Sequence, residues 1–137
     1  MERVALVKCD NYEPEKVRRA VERIVQFLGG AEKYIKRRDR VLLKPNLLVG
    51  KAPDRQVTTH PSLVRAAAQL VLESGATPCI GDSPAIGGLE GAAKKAGFKK
   101  VADELGIKLL PFEKSVEIEG LRNGTFKKIE VAREALD

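Results

Sequence analysis

The feature that most limits how this chain can fold is a change of hydrophobic pattern between Val41 and Ser83. Val41, Leu42 and Leu43 form a continuous apolar run. Leu63, Val64, Ala67, Leu70 and Val71 then recur at helical spacing, and Thr77–Ile80 makes a second short run. A continuous run suits a strand covered on both faces, whereas the spaced residues form one face of a helix. Strand, helix and strand in that order imply parallel strands joined by a right-handed crossover.

The same alternation extends in both directions. Val4–Lys8 reads as a first strand, and Pro14 opens a helix whose face is Val17, Val21, Ile24 and Leu28, ended by Gly29 and Gly30. Ala31–Arg38 is expected to add a short basic helix, and Arg40–Lys44 to be the second strand, stopped by Pro45. After a long loop from Asn46 to about Val57, Pro61 starts the central helix and Gly75 ends it. Leu89–Ala96 and Val101–Leu105 read as helix, and Ile107–Leu110 as a fourth strand ended by Pro111. Val116–Glu119 and Phe126–Val131 flank Asn123-Gly124, a hairpin signal. The expected fold is therefore α/β: a mostly parallel sheet of about four to five strands, helices on both faces in a Rossmann-like three-layer arrangement, and a C-terminal hairpin-like segment. Residues 1–137 read as one domain.

Composition narrows the function. The hydrophobic fraction is 43% and the charged fraction 32%, which a folded core requires, while aromatic residues make up only 4%. The formal net charge is +6, concentrated at Lys33, Lys36, Arg37, Arg38 and Arg40 and again at Lys94, Lys95, Lys99 and Lys100. These clusters read either as solvated helix faces or as attraction for an anionic ligand or acidic partner. They have few of the interleaved aromatics of a nucleic-acid surface, so that reading is distant. Cys9 and Cys79 lie far apart without a metal-type spacing and are expected to be buried thiols. No signal peptide opens the chain, and no apolar run approaches the ~20 residues of a membrane span, so a cytoplasmic setting is expected.

Polar residues gather where the predicted strands and central helix begin or end. In open α/β sheets ligands bind beyond the carboxyl ends of strands. Lys44 and Asn46 follow the second strand; Gly81, Asp82 and Ser83 follow the third; Thr58, Thr59 and His60 precede the central helix. Lys44 can pair with phosphate or carboxylate, or lie along the surface with its charge in water. Asn46 can bond a ligand or close an Asx turn. Thr58, Thr59 and His60 can cap the helix or join its free N–H groups around an anion. His60, the only histidine, is a candidate acid or base with Asp82 as its orienting carboxylate. Gly81, Asp82 and Ser83 serve equally as a turn or as ligand contacts. Gly87, Gly88 and Gly91 suit an anion nest but fit neither dinucleotide nor P-loop patterns. The expected site thus has His60, Asp82 and Lys44 as chemical groups and Asn46, Thr58, Thr59, Gly81 and Ser83 as ligand contacts, with no metal.

Val41-Leu42-Leu43-Lys44-Pro45-Asn46-Leu47, Thr59-His60-Pro61, Gly75-Ala76 and Gly81-Asp82-Ser83-Pro84 resemble the signature of the DUF362 family, a largely uncharacterised group of prokaryotic proteins. Many members are described as iron–sulfur proteins carrying cysteine clusters outside this region. The resemblance implies no cluster held by this chain alone; an iron–sulfur cluster would belong to another part of a longer protein. It also implies that the chain corresponds to the N-terminal part of such a protein. The function expected is binding of an anionic small molecule at strand ends within a redox-associated protein. A non-catalytic domain that docks an acidic electron-transfer partner through its basic helices is the alternative.

Overall fold

The computed structural model describes residues 3–120 and 124–136. Three parallel strands, β1 (Arg40–Leu43), β2 (Thr77–Asp82) and β3 (Lys108–Pro111), form a sheet in that order. Helix α1 (Pro14–Phe27) precedes the sheet, α2 (Pro61–Glu73) links β1 to β2, and α3 (Gly88–Ala96) and α4 (Phe98–Leu105) link β2 to β3. Strands β4 (Ser115–Glu119) and β5 (Lys128–Ala132) form a separate antiparallel pair. The α/β class, the parallel strands and the C-terminal hairpin are as the sequence suggests. The turn expected at Asn123-Gly124 falls partly outside the described residues, because Asn123 is not among them.

The parallel sheet is smaller than expected. Val4–Lys8 has no regular secondary structure and pairs with no strand among the described residues. Val4 and Leu6 are 97% and 93% exposed, and Cys9, expected to be buried, is exposed with them. A strand needs a hydrogen-bonded neighbour as well as an apolar pattern, and this segment has none. The layering also differs. α2 packs on β1 and β2 and also touches α1 and α4. The crossovers advance steadily from β1 to β3, so right-handedness puts them on the same face. Toward the other face, Gly81 lies against Leu42 and Phe112.

The basic stretch after α1 shrinks to a single 3-10 turn, Ala31–Lys33. The Asp39 carboxylate accepts the Lys36 N–H at 2.7 Å, and the Arg38 N–H donates to the Gly75 carbonyl at 2.8 Å. These bonds turn the chain into β1 rather than prolonging a helix.

The core lies between sheet and helices. Leu47, Ile80 and Phe98 are fully buried, packed with Val64, Ala68, Leu89, Ala93 and Ala102. Small alanines let α3 and α4 approach the sheet closely, which explains how a chain with few aromatics fills its interior. Leu47 belongs to the long loop, so that loop is partly core. The Leu48 carbonyl accepts the Ala85 N–H at 2.8 Å, and Gly50, at φ +58°, abuts Ala92 so closely that any side chain would collide.

Candidate functional site

The expected polar junctions meet at the carboxyl ends of β1 and β2. Asp82 is the last residue of β2 and is only 5% exposed. One carboxylate oxygen accepts the Leu47 N–H at 3.0 Å, and the other pairs with Lys44 Nζ at 2.8 Å. The Lys44 side chain remains 58% exposed, so its ammonium bridges the interior and solvent. Burial pushes the Asp82 carboxyl up, but Lys44 and the N–H groups of Leu47 and Ser83 outweigh it and hold the group below the ordinary carboxylate range.

Asn46 and Thr59 clasp the loop's two ends. The Asn46 N–H donates to Thr59 Oγ1, and the Thr59 N–H donates to the Asn46 carbonyl, each at 3.1 Å. Thr58 Oγ1 is buried without a hydrogen-bond partner. Pro61 has no N–H, so α2 begins with one of its unpaired donors already removed.

His60 is the N-cap of α2: its Nδ1 accepts the Ser62 N–H at 3.2 Å and lies 2.6 Å from Ser62 Oγ. A backbone N–H can only donate, so Nδ1 is unprotonated and the ring proton sits on Nε2. Burial pushes the ring's pKa down, in keeping with the neutral form. The ring of Tyr12 stacks on it, centroids 4.0 Å apart and planes 12° from parallel. No hydrogen bond joins His60 to Asp82 among the described residues; the two groups have separate partners.

Four of the expected site residues line two shallow cavities of about 180 Å³ each, and Asn46, Thr58 and His60 line neither. Lys44, Pro45 and Thr59 line one with Leu63, and Asp82 and Ser83 line the other with Phe112 and Glu113. Gly81 contacts neither: a side chain there would lie 2.6 Å from Phe112 and 2.9 Å from Leu42, so its role in this arrangement is close packing. Gly87 and Gly88 have positive φ and nothing within 4 Å of a built side chain. Among the described residues, no group of three His, Cys, Asp or Glu is placed to hold a metal ion.

Sequence reasoning missed three participants. Ser62 had a signal, since a polar residue two places after a helix cap is well placed to meet it. Leu47 acts through its N–H, which any residue but proline supplies. Tyr12 meets His60 only through the path of the N-terminal segment, which no spacing reveals.

Much of the basic charge is engaged within the chain. Arg18 bonds Glu22 and both oxygens of Glu73, and its pKa is raised accordingly. Lys33 and Lys36 donate to the carbonyls of Leu28 and Glu32. Lys99 pairs with Asp103, and Lys100 with Glu104.

The chain is similar to a thylakoid-associated protein of Synechocystis sp., with 38% identity over 138 residues covering 98% of this chain. It spans 41% of the length of that relative. No solved structure matches it significantly. The family model described as "Domain of unknown function (DUF362)" matches residues 41–137, which include α2, β2, all of β1 but Arg40, and the polar junctions between them. The chain belongs to the DUF362 family.

Proposed function

We propose that the carboxyl ends of β1 and β2 bind an anionic small molecule, with Lys44 as the principal contact, in a redox-associated protein. The observation that carries this reading is the Lys44–Asp82 pair. A buried, ionised Asp82 fixes Lys44 at the mouth of the strand ends, and an ammonium has three donors, of which Asp82 takes one. Lys44 also lines the cavity formed with Pro45 and Thr59, and its two remaining donors are open to a ligand there. The start of α2 contributes less than expected, because Pro61 lacks a donor and His60 already takes the Ser62 N–H. His60, neutral with its Nε2–H free of its cap contact, supplies a donor beside Tyr12.

The redox setting rests on the family's frequent association with iron–sulfur clusters, which other parts of a longer protein would hold. The Synechocystis relative is named for its association with thylakoids. Among the described residues no helix is long and apolar enough to cross a membrane.

Thermal-shift titration with phosphate and with citrate tests the anion reading. The expected result is a rise in the unfolding midpoint that Lys44→Gln abolishes and Arg23→Gln leaves intact. No rise with either anion, or an equal rise in Lys44→Gln, overturns it.

A further inference from the structure

Val4–Lys8 has the marks of a strand that lacks a neighbour. Its residues alternate, with Ala5 and Val7 half-buried and Val4, Leu6 and Lys8 exposed. Val7 lies over α1 in a cavity of about 320 Å³ shared with Val17, Val21, Ile24 and Leu63 of α2. Leu63, 41% exposed, also floors the cavity beneath the end of β1, with Leu43 and Ala67. One residue of α2 thus lies between two grooves, one walled by the N-terminal segment and the other by β1.

The two walls end at the same place. The segment leads into Tyr12, which stacks on His60 at the start of α2. β1 leads into Asn46, which is bonded to Thr59 one residue earlier. Both elements therefore bring their carboxyl ends to the N-terminus of α2. β1 also carries an unsatisfied edge: Val41, Leu42 and Leu43 are only half-buried, whereas all but the first residue of β2 are buried. An apolar strand with an open edge is a template for pairing.

We propose that a β-strand inserts between Val4–Lys8 and β1, over the groove formed by α1 and α2, and joins the N-terminal segment to the parallel sheet. The occupant is an apolar strand from polypeptide of the kind the Synechocystis relative carries outside the matched region, since more than half of that relative lies there. It would bury Leu63 and pair with both walls at once. This inference is independent of the anion reading.

Amide exchange followed residue by residue tests it. In this chain at micromolar concentration, Val4–Lys8 and the β1 amides not bonded to β2 should exchange with little protection. In the intact Synechocystis relative, the stretches matching both should be protected together, by at least about 100-fold more. Protection of only one stretch there overturns the insertion. So does slow exchange of Val4–Lys8 in this chain as a monomer, and so does protection that grows with concentration and a dimer mass, which would identify a second copy as occupant. Leu6→Pro should leave the thermal midpoint of this chain unchanged; a fall of several degrees would mean the segment is already paired, against the proposal.

Discussion

Val4–Lys8 and Thr77–Asp82 present the same local text, a short apolar run leading into polar residues, yet only one is a strand. β2 is flanked by β1 and β3, and its Ile80 is fully buried. The N-terminal segment has comparable β-forming residues and pairs with nothing among the described residues, leaving Leu6 93% exposed. Strand propensity is mostly a statement about neighbours, and these two segments separate the propensity from the neighbours. The difference carries over to the polar residues that follow. Asp82 is held rigidly because β2 is central; Cys9 through Asn11, after the unpaired run, are exposed.

The contrast breaks most sharply under truncation. Ile80→Ala should lower unfolding free energy in urea by about 2–5 kcal/mol, through lost burial and a residual cavity. If the cost is below about 1 kcal/mol, β2 is not the centre of the core. Gly81→Val should cost about 1–3 kcal/mol, because the new methyl groups meet Phe112 and Leu42; a neutral result would mean that face is open. Asp82→Ala should cost about 1–3 kcal/mol by leaving the buried Leu47 N–H unpaired, with faster amide exchange at Leu47.

The pH dependence sharpens the same comparison. The folded pKa of Asp82 lies below its unfolded value, so its contribution is complete above about pH 4 and is lost as pH falls through the folded value. His60 is also depressed in the folded state; its contribution is complete above about pH 6.5 and declines as pH falls below that. His60→Asn, which keeps a capping side chain, should remove the upper decline and leave the lower one. The smallest effect belongs to the unpaired segment: Leu6→Ala should change stability by no more than about 0.5 kcal/mol, and a larger loss would show that Leu6 is packed.

The strands β1, β2 and β3 and the helix α2 were legible because each is a run or a periodicity bounded by proline or glycine, such as Pro45, Pro61 and Gly75. The gathering of Lys44, Asn46, Thr59 and Asp82 was legible in outline, since parallel strands bring their carboxyl ends together. Their partners were not. Asp82 could not be assigned to Lys44 rather than His60 without knowing that β1 adjoins β2 and that Leu47 turns inward. The failure of Val4–Lys8 to form a strand was invisible for the same reason, since strand order is a property of the whole sheet. The burial of Leu47 in the long loop reflects tertiary packing against α3, which local pattern does not encode.

The claim at the centre is that Asp82 is a buried, ionised clasp holding Lys44 at the strand ends. Carbon-13 NMR titration of the Asp82 carboxyl tests it directly. The expected result is a pKa below the ordinary aspartate range that rises in Lys44→Gln; an ordinary pKa, or one indifferent to that substitution, would contradict it.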